Sequence, residues 1–166
     1  MTGIRVRPEG PADVAAIRAV LKAAFPTPVE AGLVDALRDS PAWLPGLSIV
    51  GERDGDVVAY ALLTRVTVEP GGRPALALGP VAVRPAYQRT GLGVAVVYAA
   101  LDAARDRDET LVLVLGDPGY YRRFGFIPAT GLTAPWSGTP HWQVLTLDGS
   151  EPPTGEVRYP PPWFAL

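Results

Sequence analysis

The stretch that most constrains this chain is Val81-Ala-Val-Arg-Pro-Ala-Tyr-Gln-Arg-Thr-Gly-Leu-Gly93, in which a β-branched strand runs into a glycine-bearing turn that opens an apolar helix. The first amides of a helix have no partner within it, and the helix dipole adds partial positive charge at that end. These groups converge on one spot, which makes the turn a cradle for an anion such as phosphate. Just ahead of it, large apolar residues alternate as Leu76 and Leu78 and resume as Val81 and Val83, so side-chain parity shifts by one across Gly79-Pro80. A bulge absorbs the extra residue, because Pro80 cannot donate to a ladder and Gly79 accepts unusual dihedrals. The C-terminal half of this strand is therefore expected to have amides free for a ligand.

Around this segment the apolar pattern predicts a mixed α and β order. Ile4 to Arg7 reads as a strand. Pro11 to Phe25 carries Val14, Ile17, Val20, Leu21 and Phe25 at helical spacing, with Asp13 or a neighbour as cap and Pro26-Thr-Pro28 as stop. Val29 to Arg38 predicts a second helix. Leu47 to Arg53 and Val57 to Val68 predict a hairpin across Asp54-Gly55, two residues that tolerate positive φ. Further strands are expected over Ala75 to Val83, Leu111 to Leu115 and Gln143 to Leu147, with a helix from Gly91 to about Arg105. Residues 151–166 read as a proline-rich tail, extended over Tyr159 to Leu166, whose aromatics cover the core or reach a partner. No repeat or linker divides these elements, so 1–166 reads as a single domain, and 166 residues with 48% hydrophobic suit one core.

Charge and cysteine content remove several classes. The formal charge is −2, from 15 basic and 17 acidic side chains, and the longest basic run is Arg122-Arg123, so no stripe for nucleic acid or anionic lipid is present. Met1-Thr-Gly-Ile-Arg-Val-Arg lacks the apolar core of a signal peptide, and no apolar run nears the roughly 20 residues of a membrane span. The expectation is a cytoplasmic protein with no membrane partner. Zero cysteines exclude a thiolate metal site and a cysteine acyl-enzyme, and a single histidine excludes a two-histidine zinc motif, so no metal is expected. Gly91-Leu-Gly93 is a partial dinucleotide fingerprint, but Val96 stands where its third glycine belongs.

The order of residues resembles the GCN5-related N-acetyltransferase (GNAT) superfamily, through Gln88-Arg-Thr-Gly91-Leu-Gly93 after the bulged strand and Tyr121-x-x-x-Gly125-Phe126 after the strand Leu111 to Leu115. The longer string Leu113 to Phe126 resembles the YhbS-like subgroup, as do Glu30-Ala-Gly-Leu-Val-Asp-Ala-Leu-Arg38, Pro135-Trp136 and Arg158-Tyr-Pro-Pro161, so the likeness spans nearly the whole chain. It implies an α+β GNAT fold: a mixed, mostly antiparallel central sheet with a bulged, splayed fourth strand, flanked by helices. The implied cosubstrate is acetyl-CoA, its pyrophosphate on the backbone of Arg89, Thr90, Gly91, Leu92 and Gly93 after Gln88. The segment Val81, Ala82 and Val83 would pair with its pantetheine arm as an added strand does. The implied activity is acetyl transfer to a primary amine, on a small molecule or a peptide, by direct attack with a strand amide such as that of Val83 as oxyanion donor. A homodimer through the C-terminal strands is ordinary for the superfamily. Where relatives carry Asn near the end of the strand before the tyrosine, this chain has Gly116-Asp117-Pro118.

Three residues stand out as catalytic candidates. Tyr121 matches the tyrosine that protonates the departing thiolate in many relatives, since a phenol with an ordinary pKa of about 10 is protonated at neutral pH and can donate. Tyr120, beside it, is the alternative. Glu30 reads either as a first-turn residue favoured by the helix dipole or as the base or anchor for the amine. His141, in Trp136-Ser-Gly-Thr-Pro-His-Trp142, reads either as a base or as a strand-entry histidine. Arg122 and Arg123 are either phosphate contacts or solvated helix charges. The competing function is a non-catalytic acyl-CoA sensor, which would keep the cradle and have no acceptor pocket.

Overall fold

The computed structural model describes residues 3–165; Met1, Thr2 and Leu166, the ends of the two terminal segments read above, lie outside the described residues. The chain runs β1 (Ile4–Pro8), α1 (Val14–Ala24), α2 (Val29–Arg38), β2 (Ser48–Arg53), β3 (Asp56–Glu69), β4 (Arg73–Val83), α3 (Leu92–Asp106), β5 (Leu111–Leu115), α4 (Pro118–Tyr121), β6 (Ile127–Pro128), β7 (Leu132–Thr133), β8 (Trp142–Thr146) and β9 (Gly155–Arg158). The sheet order is β1-β2-β3-β4-β5-β8-β6, with β9 paired to both β3 and β7. Within the main path β4 and β5 are parallel and the other neighbours antiparallel, and α3 supplies the crossover that a parallel pair requires.

The alternation along β3 sets the layers. Ala59, Ala61 and Leu63 face one side and pack with Val96, Val97, Ala100 and Leu101 of α3. Tyr60 and Leu62 face the other and pack with Ile17, Val20 and Leu21 of α1 and Leu33, Val34 and Leu37 of α2. Every residue from Val58 to Thr64 is buried, as expected for a strand covered by helices on both faces. The two-residue turn Asp54-Gly55 has φ of +53° and +88°, the left-handed pair that a tight hairpin needs.

Three local expectations are corrected. Pro11 to Asp13 form a 3-10 turn, and α1 begins only at Val14. Asp13 does not cap α1 with its side chain; its carboxylate instead turns back to accept from Gly10 N at 2.6 Å and from both terminal nitrogens of Arg7. The C-terminal segment is not an extended tail. β2 stops opposite Leu62, which leaves the far half of β3 without a partner on that edge, and β9 fills the gap through Val68 and Val157. Beyond it Pro161–Ala165 form a further 3-10 turn, and the rings of Tyr159 and Trp163 pack on the sheet's third cluster.

Candidate active site

The bulge expected at Gly79-Pro80 is present. Ala61 pairs with Val81 and Leu63 with Leu78, so the single residue Leu62 faces Gly79 and Pro80 together. Gly79 holds φ +149°, a conformation that side chains of L residues rarely adopt. On its other edge β4 pairs with β5 only from Leu76 to Leu78, and beyond that point the two parallel strands separate. Successive amides of a strand point to opposite edges, and Arg84 N donates to Val58 O of the β3 hairpin at 2.8 Å. By that alternation Ala82 turns its amide toward β3, while Val81 and Val83 turn theirs into the opening. The carbonyl of Val83 on the same side accepts from Gln88 Nε2 at 3.2 Å, which ties the strand end to the following turn.

The turn itself is held by short-range bonds. Tyr87 N donates to Arg84 O, and Thr90 Oγ1 donates to Tyr87 O at 2.5 Å. Arg89 and Gly91 both have positive φ, +63° and +87°, and this pair of left-handed residues reverses the chain into α3. The first helical bond runs from Ala95 N to Gly91 O, so the amides ahead of it lie outside the helix ladder and point past the helix start. The side chain of Leu92 is buried in the core and anchors the first turn. A Cβ on Gly93 would stand 3.1 Å from the Tyr120 hydroxyl and 3.3 Å from a Val83 methyl, so a glycine here keeps the passage between strand and helix open. Val81, Val83, Gln88, Arg89, Gly91 and Gly93 wall a cleft of about 550 Å³, closed on the far side by Tyr120, Tyr121 and Arg123. Bare amides, a helix start and an unpaired strand edge in one groove fit a pyrophosphate followed by an amide-bearing arm.

Tyr121 is seated by the turn Gly116-Asp117-Pro118. Asp117 Oδ1 accepts from Gly119 N at 2.9 Å and Pro118 takes the first helical position, an arrangement that starts a helix within one residue. The Tyr121 ring then folds back over Gly116, close enough that a Cβ there would collide with its edge. Tyr120, Phe124 and Phe126 hold the ring edge-on or tilted at centroid distances of 5.0–6.1 Å. Burial pushes the Tyr121 phenol well above its ordinary value, and burial moves the less buried Tyr120 the same way, with Arg123 opposing. Arg123 lies over the Tyr120 ring at 4.6 Å and lines the cleft, whereas Arg122 does not line it.

A second cavity, of about 410 Å³, opens on the other side of Tyr121. Both cavities are lined by Val81 and Tyr121, which stand where they meet. Glu30 lines this second cavity from the first turn of α2. His141 lines neither: it is exposed at the entry to β8, and its carbonyl accepts from Gly116 N at 2.9 Å. The structure thus brings Glu30 and Tyr121 together and leaves the His141 side chain apart. It also brings in Trp136, Tyr159 and Trp163, whose role as cavity walls has no mark in the sequence beyond aromatic character. Trp142, by contrast, is fully buried and donates to Leu132 O at 2.9 Å.

Comparison with known proteins agrees with this geometry. The model of the acetyltransferase (GNAT) family matches residues 14–126. The chain is 34% identical over 159 residues to the uncharacterized N-acetyltransferase YhbS of Escherichia coli strain K12, covering 93% of this chain and 95% of that protein. The crystal structure of Escherichia coli YhbS in complex with CoA superposes with a TM-score of 0.88 at 32% identity, over 99% of this chain and 93% of that one. A GNAT family acetyltransferase from Brucella melitensis, in complex with acetyl-CoA, gives a TM-score of 0.82 at 34% identity, over 98% of this chain and 99% of that one. With the bulged and splayed strand, the glycine turn and the tyrosine in place, the chain belongs to the acetyltransferase (GNAT) family.

Proposed function

We propose that this chain transfers the acetyl group of acetyl-CoA to a primary amine by direct attack within a ternary complex. The observation that carries this reading is the junction: the cleft suited to the coenzyme and the cavity lined by Glu30 share Val81 and Tyr121 as a common wall. An acyl-CoA sensor needs only the first of these spaces, so the second favours an enzyme. Relatives of the same fold, matched over nearly their whole length, carry CoA or acetyl-CoA in their crystal structures, which supports the same cosubstrate here.

In this reading the amides of Arg89 to Gly93 and the start of the fifteen-residue α3 hold the pyrophosphate, with Arg89 and Arg123 adding charge at the rim. The open edge of β4 binds the pantetheine arm through Val81 and Val83, and the Val83 amide donates to charge developing on the acyl oxygen. Acetyl-CoA supplies an activated thioester with a good leaving group. Tyr121, a phenol kept neutral by burial, donates its proton to the departing sulfur. Glu30 anchors the incoming ammonium and receives the proton it must lose, directly or through water. With no cysteine in the chain, direct transfer needs no thiol acyl carrier.

The test is calorimetric titration of the purified chain with acetyl-CoA, with NAD as control, followed by thiol release across a panel of amines. Micromolar binding of acetyl-CoA alone, with amine-dependent release, is expected. Equal binding of NAD, or release that no amine accelerates, would remove the reading.

A further inference from the structure

The cavity on the acceptor side is chemically one-sided. Its walls are Phe25, Leu33, Leu115, Trp136, Tyr159 and Trp163 with the apolar strand residues between them, and among the described residues no Arg, Lys or His lines it. Glu30 is the only charged residue among the described residues that line it. One carboxylate oxygen of Glu30 is buried and has no hydrogen-bond partner, unlike a first-turn acid that merely favours the helix dipole from solvent. The indole nitrogen of Trp163, another wall residue, is likewise buried with no partner. Trp163 also closes the cavity floor, its ring edge 3.5 Å from where a Cβ on Gly79 would stand.

We infer that the acceptor is an arylalkylamine: a primary monoamine on an uncharged, ring-sized body, its ammonium on the carboxylate of Glu30. The inference rests on the acetyltransferase reading above. A volume of about 410 Å³ lies toward the small end of ligand sites, which span about 300–1,000 Å³. The lining then excludes the other amine classes by desolvation. A free amino acid would bring a carboxylate beside Glu30 with no cation to meet it, and a polyamine would bring extra ammonium groups with no further anion. An amino sugar would bury several hydroxyls against walls that offer few partners. An arylalkylamine matches one cation to one anion and spends the rest of its surface on aromatic walls.

The experiment is steady-state acetyl transfer by the full chain at saturating acetyl-CoA, with tyramine, phenethylamine, phenylalanine, spermidine and glucosamine as acceptors. Tyramine and phenethylamine are expected to exceed the other three in kcat/KM by roughly 100-fold, the scale of an unpaired buried charge. Glu30→Gln is expected to raise KM for both good acceptors about 10- to 100-fold with acetyl-CoA affinity unchanged. Preference for phenylalanine, spermidine or glucosamine, or inertness of both arylalkylamines in a chain that binds acetyl-CoA by calorimetry, overturns the substrate class alone. Failure to bind acetyl-CoA overturns the acetyltransferase reading beneath it.

Discussion

The cleft proposed for the coenzyme and the cavity proposed for the acceptor share a wall, yet they are built in opposite ways. The cleft is made chiefly of backbone, the open edge from Val81 to Val83, freed by the bulge that precedes it, and the turn from Gln88 to Gly93. The cavity is made of side chains drawn from α2, β4, the end of β5, α4, the loop carrying Trp136 and the segment from Tyr159 to Trp163. A backbone site demands particular residue types, because dihedrals and missing donors are properties of Gly and Pro. A side-chain site demands only shape and apolar character, which many residues satisfy. The two regions should therefore fail differently when changed.

The largest separation is expected from Gly91→Glu. Gly91 sits at φ +87° at the start of α3, where a side chain is strained by about 1–2 kcal/mol and an added carboxylate faces the phosphates. Acetyl-CoA affinity should fall by about 100-fold or more, read by calorimetry, with the melting temperature only modestly lowered. Retained affinity would mean that the turn is not the cradle. Tyr121→Phe comes next and should do the reverse: kcat falls about 100-fold, the ordinary range of a general acid, while the acetyl-CoA Kd stays within about threefold. Unchanged kcat would pass the acid role to Tyr120 or to solvent.

A smaller effect is expected from Gly116→Ala. The added methyl meets the edge of the Tyr121 ring, which Phe124 and Phe126 prevent from retreating freely, so kcat should drop about tenfold with coenzyme affinity unchanged. The smallest is a pH effect on stability. Burial raises the phenols of Tyr60, Tyr121 and Tyr159, so the folded chain keeps protons that the unfolded chain releases above its ordinary phenol pKa of about 10. Below that pH all three are neutral in both states and contribute no slope. Above it they lower stability as pH rises, and Tyr121→Phe should lessen the fall in a denaturant series between pH 9 and 11.

Much of the fold was legible in the sequence for the same reason as the cleft. The alternation along β3, the Asp54-Gly55 hairpin and the parity shift at Gly79-Pro80 are each local patterns with one structural solution. The order of the sheet around β4 followed from the family resemblance. What escaped was non-local. β9 forms because β2 is too short to cover β3, a fact about two strand lengths that residues 155–158 do not carry themselves. Gly116 matters only because a ring five residues later folds back over it, and Asp117-Pro118 was the one readable hint of that helix start. Glu30 could be singled out by type and position, but the cavity it lines is also walled by Tyr159 and Trp163, more than 120 residues away in the chain.

The central claim is that cleft and cavity are filled together and that transfer happens across their shared wall at Tyr121. Initial rates with acetyl-CoA and the best amine of the panel varied against each other test it most directly. Double-reciprocal lines that intersect are the predicted result, since both substrates must be present before thiol is released. Parallel lines, with thiol released before the amine binds, would require an acetyl-enzyme and would contradict the account.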